Sequence, residues 1–536
     1  MPANVPANVP ASEPANVPAN VPANVTAGGP DVSLGSWIAK RATITPTRRA
    51  LTYDGTTWTY TELLDRIDRL AAVLRDGGVE RGTRVAYLGF NDPMFLVTMF
   101  ATARLGATFV PLNFRLTGPE LSFIVNDAGA HTLVVDATHR PVIDGVRGEL
   151  PVERYLDVDD LADLIATTDR LDHPVTVDDH EVAVIMYTSG TTGRPKGAML
   201  THGNLWWNNT NVLLMFDTYE HDVTLVVAPL FHIGGLNVTT LITWMKGGEV
   251  VLHQNFDPGA ALDDIPRYGV TTMFGVPAMF LFMSQHPGFE QADLSSVRLL
   301  ICGGAPVPEP LIRLYDGRGI PIQQGYGLTE TAPTVTFLTA EYGLDKLGSA
   351  GTPPMFTEVR IVDDENQPVA EPGTRGEVCV RGPHVMAGYW NRPDATADAI
   401  DADGWFHTGD IGYLDADGFL FIADRVKDMV ISGGENVYPA EVESVLYEHP
   451  AVAEVAVIGQ PDERWGEAVV AIVAPKPGSE VTLDELREFG RRSLAGYKLP
   501  TRLHLIDELP RNPAGKVLKY ELRDVFAGDA SEEVAP

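Results

Sequence analysis

A run of small, hydroxylated and glycine residues that ends in a lysine directly follows an apolar segment at residues 182–187. The run reads Thr188-Ser189-Gly190-Thr191-Thr192-Gly193-Arg194-Pro195-Lys196-Gly197. Glycines let the backbone approach a polyphosphate closely, hydroxyl and amide groups donate hydrogen bonds to its oxygens, and lysine adds positive charge. The spacing of the common P-loop is absent, which disfavours an ordinary nucleotide hydrolase. The run therefore predicts a phosphate-binding loop of another type, because a solvated turn would not need this combination.

Four further segments contain residue types that suit a nucleotide and its metal ion. These segments are residues 323–331, preceded by 302–306; residues 404–410, followed by 424–428; residues 429–439; and residues 510–519. A tyrosine ring offers a flat face to a purine, and a carboxylate oxygen suits a hard cation such as Mg²⁺. A charged hydrogen bond to a diol gives orientation as well as affinity.

The elements around these motifs indicate an α/β fold. Residues 51–60 predict a hairpin that turns at Asp54-Gly55, and a helix capped by Thr61 and ended by Gly77-Gly78 should follow. Short apolar strands, such as residues 84–88 and 182–187, alternate with helices of this kind. Such alternation indicates α/β layers.

Three regions of different composition divide the chain. Residues 1–31 contain Pro-Ala-Asn-Val units and predict a disordered tail, because they offer few large apolar groups. Residues 32–426 are expected to form a large domain. Residues 427–536 are expected to form a small α+β domain, with strands at 452–458 and 469–473 and a helix opened by a capping box at 482–485.

Together with residues 198–202, which continue the first run, these segments resemble the motifs of the adenylate-forming superfamily in order and separation. That superfamily contains acyl-CoA synthetases, firefly-type luciferases and the adenylation domains of peptide synthetases. The resemblance extends from about Leu34 to Arg523. It implies a large N-terminal α/β-layered domain with a small mobile α+β C-terminal domain. It also implies an enzyme that activates a carboxylic acid with MgATP as an acyl-AMP and passes the acyl group to coenzyme A.

The resemblance assigns the nucleotide site residue by residue. Tyr326 would stack on adenine, Asp410 would accept from the ribose hydroxyls, Thr329 would reach the α-phosphate, and Glu330 with Thr188 would hold Mg²⁺. The implied nucleotide-binding residues are Thr188, Ser189, Gly190, Thr191, Thr192, Gly193, Lys196, Gly304, Ala305, Pro306, Gln324, Gly325, Tyr326, Gly327, Asp410 and Arg425.

The resemblance also assigns the C-terminal motifs. Lys516 corresponds to the catalytic lysine, which would bridge the carboxylate and the α-phosphate, and Lys427 matches the hinge about which the small domain rotates. The residues implied for coenzyme A are Ser432, Gly433 and Gly434, in a loop that lines the pantetheine tunnel, and Trp465, for which packing is an equal alternative.

Residues 229–235 resemble the acyl-pocket segment of CoA synthetases, with His232 near the substrate carboxylate. No aspartate suited to an ammonium group is found in this region, which favours a plain carboxylic acid. Apolar candidates for the chain-binding tunnel are Met273, Phe274, Val276, Ala278, Met279 and Leu328. The stretches at 348–357, 388–393 and 426–439 resemble fatty-acid–CoA ligases of actinobacterial type, so we expect a medium or long acyl chain. An aromatic acid of the cinnamate or benzoate type, or a stand-alone acyl-AMP ligase that loads a carrier protein, stays open.

The composition limits the partners. The 40 Lys and Arg residues against 72 Asp and Glu residues give a net charge of -32, which disfavours a non-specific nucleic-acid binder. No apolar run is long enough to span a membrane. The two cysteines match neither a disulfide framework nor a zinc pattern, so we expect both to be reduced and buried. We expect a cytoplasmic enzyme; peripheral membrane contact and a homodimer stay open.

The two-step assignment predicts that a substitution at one lysine and a substitution at one glycine affect different half-reactions. Lys516→Ala should lower the rate of acyl-AMP formation by roughly 10²–10³-fold while ATP binding changes far less, because the lysine would stabilise charge in the transition state. Gly434→Trp should spare adenylation and stop thioester formation, because the indole would fill the tunnel. Single-turnover assays of each step test this, with Lys519→Ala as the control. Equal effects on both steps would contradict the assignment.

Overall fold

The computed structural model describes residues 31–188, 195–363, 365–425, 428–432, 435–462, 466–494, 496–511, 517–526 and 532–533. The predicted disordered tail therefore lies almost wholly outside the described residues. In chain order the strands are β1 Arg49–Tyr53, β2 Thr56–Thr59, β3 Arg84–Leu88, β4 Thr108–Leu112, β5 Thr132–Val135, β6 Arg154–Asp157, β7 Val182–Thr188, β8 Lys196–Thr201, β9 Val223–Val226, β10 Glu249–Leu252, β11 Thr272–Gly275, β12 Leu299–Gly303, β13 Ile322–Gly327, β14 Thr334–Leu338, β15 Glu358–Val362, β16 Gly376–Arg381, β17 Phe406–Leu414, β18 Leu420–Arg425, β19 Val430–Ser432, β20 Glu435–Val437, β21 Val452–Asp462, β22 Gly466–Pro475, β23 Arg502–Leu505 and β24 Glu532–Glu533.

The α-helices fill the connections between these strands. They are α1 Leu34–Ile44, α2 Tyr60–Asp76, α3 Pro93–Arg104, α4 Gly118–Ala128, α5 Arg140–Val146, α6 Val158–Thr167, α7 His202–Met215, α8 Ile233–Asn237, α9 Thr240–Lys246, α10 Pro258–Tyr268, α11 Pro277–Gln285, α12 Glu309–Gly317, α13 Pro393–Ala399, α14 Pro439–Tyr447, α15 Leu483–Gly490 and α16 Lys519–Phe526. No helix in the described ranges combines the length and the apolar character that crossing a membrane would require.

Two large, mostly parallel sheets form the first part of the fold. One has the strand order β14-β13-β12-β11-β9-β10-β1-β2, and the other has the order β6-β5-β3-β4-β7-β8. Strands such as β4 and β12 are buried along their whole length, as expected for parallel sheets covered by helices on both faces. In each sheet an antiparallel strand, β14 or β8, lies at the edge next to a motif-bearing strand.

Buried polar side chains tie the helices to the larger sheet. The indole of Trp244 in α9 donates to the carbonyl of Ala50 at 2.7 Å, and the hydroxyl of Tyr60 in α2 donates to the carbonyl of Gly248 at 2.7 Å. Both rings are fully buried, so these bonds satisfy the one polar atom of each side chain.

Two smaller sheets follow. β15 to β18 form an antiparallel sheet in chain order, and β19 to β24 form a sheet centred on β22. The last sheet packs with α14 and α15 around its own apolar cluster, which includes Val430, Leu446 and Val473. The α/β fold with a smaller C-terminal α+β unit is confirmed. The boundary at residues 426 and 427 stays a prediction.

Local signals were confirmed in part. β3 matches the predicted strand, and Thr482 caps α15 through a capping box with Glu485, as expected. The expected cap at Thr61 is wrong: Thr59 caps α2, because its hydroxyl accepts from the backbone N–H of Glu62 while the Glu62 carboxylate accepts from the backbone N–H of Thr59. Cys302 and Cys379 are both buried free thiols.

A buried carboxylate joins α2 to α3. The two oxygens of Asp68 lie 2.7 Å from Nη2 of Arg104 and 2.6 Å from Nη2 of Arg170. Asp68 and Arg104 are both buried, so removing the carboxylate leaves an uncompensated charge in the interior.

Asp68→Ala should therefore lower the free energy of unfolding by about 3 kcal/mol, read from urea denaturation curves. The matched control is Glu309→Ala, which removes the exposed partner of Arg313 on α12 and should change the free energy by less than ~0.5 kcal/mol. A similar shift for both variants would contradict the role of the buried ion pair.

Candidate nucleotide-binding and acyl-activation site

The β7–β8 hairpin fixes both ends of the predicted phosphate loop. Thr188 and Lys196 are paired across the two strands, and the Thr188 hydroxyl donates to the Lys196 carbonyl at 3.4 Å. Ser189, Gly190, Thr191, Thr192 and Gly193 lie outside the described residues. The hairpin therefore holds the loop ends side by side at one edge of the second sheet.

The predicted adenine-binding residues lie at the carboxyl ends of two neighbouring parallel strands. β12 leads into Gly304, Ala305 and Pro306, and β13 carries Gln324, Gly325, Tyr326 and Gly327. Gly304 has a φ of +84°, which favours glycine, and a Cβ on Gly327 would lie 1.6 Å from the carbonyl oxygen of Pro333. The Nε2 atom of Gln324 is buried with no hydrogen-bond partner among the described residues.

Tyr326 and Asp410 meet across two sheets. The Tyr326 hydroxyl donates to Oδ2 of Asp410 at 2.6 Å. Asp410 is only 4% exposed, and its backbone N–H donates to Oγ1 of Thr408. Its strand partner is Arg425, whose side chain lies outside the described part of the structure. An aromatic ring for a purine and a carboxylate for a diol are therefore adjacent.

The part of β17 that precedes Asp410 is held by a glutamate on the neighbouring strand β16. One oxygen of Glu377 accepts from the backbone N–H of Gly409 at 3.0 Å, and the other lies 2.8 Å from Nδ1 of His407. Because Glu377 bonds both residues, it restrains the part of β17 that directly precedes Asp410. No sequence pattern indicated this contact.

Glu330 lies in a short 3₁₀ turn, Thr329–Thr331, directly after β13. Its carboxylate is 8% exposed and accepts from the Tyr389 hydroxyl at 2.8 Å. Thr329 is half-buried on the same turn. A hydrogen-bonded carboxylate at the edge of a nucleotide cleft fits a hard cation such as Mg²⁺.

His232 occupies the N-cap position of α8, in the middle of the predicted acyl segment, and its side chain makes no capping hydrogen bond. Its Nε2 atom is buried and has no hydrogen-bond partner among the described residues. Burial, with a smaller contribution from the Arg115 guanidinium, lowers the pKa of His232 from 6.5 to about 4. The imidazole is therefore neutral at pH 7.

A small cleft of about 40 Å³ is lined by Phe114, which belongs to an aromatic cluster with Phe231 and His232. Phe114 packs edge-on against Phe231, with ring centroids 5.1 Å apart, and Phe231 packs against His232 at 4.4 Å. The residues lining the cleft are Asn91, Phe114, Arg115, Val227, Pro229, Gln254, Asn255, Phe256 and Met279.

This cleft includes one of the six predicted tunnel residues, Met279. Met273 in β11 is fully buried and packs in the hydrophobic core. Val276, Ala278 and Leu328 are half-buried. Phe114 was missed by the sequence reasoning. Its signal was its place two residues beyond the carboxyl end of β4, where parallel sheets bind ligands.

The structure brings the predicted site residues together in two groups, one with Thr188, Lys196 and Glu330 and one with Tyr326 and Asp410. β13 joins the groups, because Tyr326 is in this strand and Glu330 is on the turn after it. Ser432 ends β19 in the C-terminal sheet and is buried. Lys427, Gly433, Gly434, Trp465 and Lys516 lie outside the described residues, so their roles stay predictions. A β-bridge between Arg511 and Val517 brackets the segment that contains Lys516.

The fold and this constellation define a two-part nucleotide-binding enzyme in which loops of several sheets meet at one cleft. The family model described as AMP-binding enzyme matches residues 38–390, and the model described as AMP-binding enzyme C-terminal domain matches residues 441–516. The chain belongs to the AMP-binding enzyme family.

Characterised relatives differ in the acid that their names specify. A feruloyl-CoA synthase of Amycolatopsis sp. is 50% identical over 494 residues, covering 92% of this chain and 99% of the relative. A long-chain-fatty-acid–CoA ligase of Mycobacterium tuberculosis is 40% identical over 501 residues, covering 92% and 99%.

Solved structures agree with the fold. An o-succinylbenzoate CoA synthetase from Bacillus subtilis, in complex with its acyl-adenylate intermediate, superposes with a TM-score of 0.84 at 36% identity, covering 92% of this chain and 99% of that chain. ATP-bound MatB from Rhodopseudomonas palustris gives a TM-score of 0.87 at 32% identity, covering 93% and 99%.

The lowered pKa of His232 predicts a pH dependence of stability. Between pH 6.5 and 4 the unfolded chain protonates this histidine and the folded chain does not, so stability is full above about pH 6.5 and is lost as the pH falls. From pH 7 to 4.5, the loss from this group should be about 2 kcal/mol. Urea denaturation of His232→Asn should show a correspondingly smaller loss over that range. Parallel pH curves for the variant and the wild type would contradict the pKa assignment.

Proposed function

We propose that the chain is an AMP-forming acyl-CoA synthetase that converts ATP, a carboxylic acid and coenzyme A into acyl-CoA, AMP and diphosphate. The observation that carries the proposal is the contact between Tyr326 and Asp410, since an aromatic ring that suits a purine lies beside a buried carboxylate that suits a ribose diol, with Glu330 on the turn after β13. Membership of the AMP-binding enzyme family supports the nucleotide, and CoA-ligase relatives support the thiol acceptor.

The residues of this chain would bind ATP in three places. The Tyr326 ring faces the adenine, Asp410 accepts hydrogen bonds from the ribose hydroxyls, and Lys196 with the loop after Thr188 contacts the phosphates. Glu330, with the hydroxyl of Thr188, would hold Mg²⁺. A metal ion held by these residues would supply positive charge to the phosphate oxygens.

Attack of the substrate carboxylate on the α-phosphate would form the acyl-AMP. Neutral His232 would face the carboxylate without adding charge, while Thr329 and Lys516 would contact the α-phosphate. The thiol of coenzyme A then attacks the acyl carbon and AMP leaves. For this step the small domain, residues 427–536, would turn about Lys427 against residues 32–426 and present Ser432, Gly433 and Gly434 to the pantetheine arm, with Trp465 near the CoA nucleotide.

An aromatic acid of the hydroxycinnamate type is the substrate that we propose. Phe114 and Phe231 form an aromatic wall beside His232, and edge-to-face packing favours a flat ring by ~0.5–1.5 kcal/mol. The amides of Gln254 and Asn255, two exposed residues that line the cleft, could bond a phenol or methoxy group. The feruloyl-CoA synthase relative at 50% identity supports this choice.

A medium- or long-chain fatty acid, which the sequence analysis favoured, is the second candidate. The half-buried Val276, Ala278 and Met279 offer an apolar surface to an acyl chain. The fatty-acid ligase relative at 40% identity supports it. Transfer to a carrier protein is a third outcome, because a fatty acid–[acyl-carrier-protein] ligase of Streptomyces coeruleorubidus is 39% identical over 503 residues.

Competition between acids tests the substrate class. The purified chain is incubated with MgATP, coenzyme A and an equimolar mixture of ferulate, cinnamate, benzoate, octanoate and palmitate, and the thioesters are counted by mass spectrometry. We expect feruloyl-CoA and cinnamoyl-CoA to dominate, with AMP as the nucleotide product. If fatty acyl-CoA predominates, the substrate is a fatty acid rather than an aromatic acid. Acyl-AMP without thioester would indicate a carrier-protein ligase.

A variant of the aromatic wall makes the same test sharper. Phe114→Leu should lower kcat/KM for ferulate roughly 3–10-fold relative to octanoate, because a leucine packs less well against a flat ring. Phe282→Leu is the matched control, since Phe282 is 52% exposed on α11 and does not line the cleft. An equal loss for both acids would contradict the role of Phe114 in selecting the acid.

A further inference from the structure

Residues 386–390 form an extra strand-like segment between two parts of the nucleotide site. The backbone N–H of Met199 in β8 donates to the Gly388 carbonyl at 2.9 Å, and that of Trp390 donates to the Gly197 carbonyl at 2.8 Å. On the other side, the backbone N–H of Met386 donates to the Glu330 carbonyl at 2.8 Å. The segment therefore connects the strand after the phosphate loop to the turn that carries Glu330.

Tyr389, in the middle of this segment, contacts a charged group on each side. Its hydroxyl donates to Oε1 of Glu330 at 2.8 Å, and the Lys196 ammonium lies over its ring, 5.1 Å from the ring centroid. Burial and the nearby carboxylate raise the pKa of the Tyr389 hydroxyl well above 10, so it stays a hydrogen-bond donor at any working pH. One side chain thus touches both the lysine of the loop and the acid of the turn.

The neighbours of Tyr389 hold it in place. Its backbone N–H donates to Oγ1 of Thr396 at 2.9 Å. The indole of Trp390 donates to the backbone carbonyl of Asp127 and the guanidinium of Arg392 to its carboxylate, both at 3.0 Å. Asp127 also accepts from the Tyr187 hydroxyl near the end of β7. The ring is therefore fixed relative to both strands of the hairpin before any ligand binds.

We infer that Tyr389 is a positioning residue that orients the Glu330 carboxylate for the metal–nucleotide complex and holds the Lys196 ammonium beside it. This inference rests on the proposed function, which gives Glu330 its metal. A carboxylate that binds a metal is held by hydrogen bonds from its neighbours, and loss of such a partner typically weakens metal binding about 10–100-fold. The phenol donates a hydrogen bond to this carboxylate, and the ring of the same residue contacts the ammonium of Lys196.

Tyr389→Phe tests the inference, because it keeps the ring over Lys196 and removes only the O–H donor. Binding of Mn²⁺ in the presence of α,β-methylene-ATP, without any acid, is measured by electron paramagnetic resonance. We expect the Mn²⁺ dissociation constant to rise about 10-fold. Tyr342→Phe is the matched control: Tyr342 also interacts with a glutamate, Glu341, but on the surface, and this variant should bind Mn²⁺ like the wild type.

A double-mutant cycle with Glu330→Gln distinguishes positioning from general destabilisation. If Tyr389 acts through Glu330, Tyr389→Phe should have little further effect on Mn²⁺ binding in the Glu330→Gln background. An unchanged dissociation constant in Tyr389→Phe, or the same fold-loss in both backgrounds, would overturn the inference. Thioester formation by the wild type is assayed on the same preparation, so a wild type that binds Mn²⁺–nucleotide but makes no acyl-CoA would overturn the proposed function alone.

Discussion

The edge of the second sheet is the constraint on which the site depends. β8 follows the phosphate loop and is the last strand of its sheet, so its outer backbone groups need partners. The segment at residues 386–390 supplies them, and the same segment bonds to the Glu330 carbonyl. Backbone pairing at one edge therefore links the strand after the proposed phosphate loop to the acid that would hold the metal.

The proposed nucleotide site contains two buried carboxylates, in a chain that already carries a net charge of -32. Burying a carboxylate costs free energy unless hydrogen bonds compensate it. Both acids of the proposed site receive a bond from a tyrosine hydroxyl: Asp410 from Tyr326 and Glu330 from Tyr389. Each tyrosine thus keeps its acid in one orientation before an anionic ligand with its metal arrives.

Sequence patterns predicted the features that depend on neighbours along the chain. The apolar run of β3 and the capping box at Thr482 are local, and both are confirmed. The first cap of α2 was assigned two residues too late, because Thr59 and Thr61 are both possible caps and the reciprocal bond with Glu62 decides between them.

Long-range contacts could not be predicted in the same way. Met273 looks like any apolar pocket residue in the sequence, but β11 points it into the core. Phe114 and Tyr389 gain their importance only from rings and carboxylates more than fifty residues away, which periodicity does not reveal. The motif residues were found because a resemblance relates distant segments, whereas the side chains that hold them in place are specific to the packing.

The proposed activity depends on the formation of an acyl-adenylate, which isotope exchange measures directly. Purified protein is incubated with MgATP, ³²P-labelled diphosphate and ferulate in the absence of coenzyme A. We expect label to enter ATP only when the acid is present, because the first step is reversible and needs no thiol. Thioester formation in a parallel reaction with coenzyme A, without acid-dependent exchange or with ADP and phosphate as products, would rule out an acyl-adenylate intermediate.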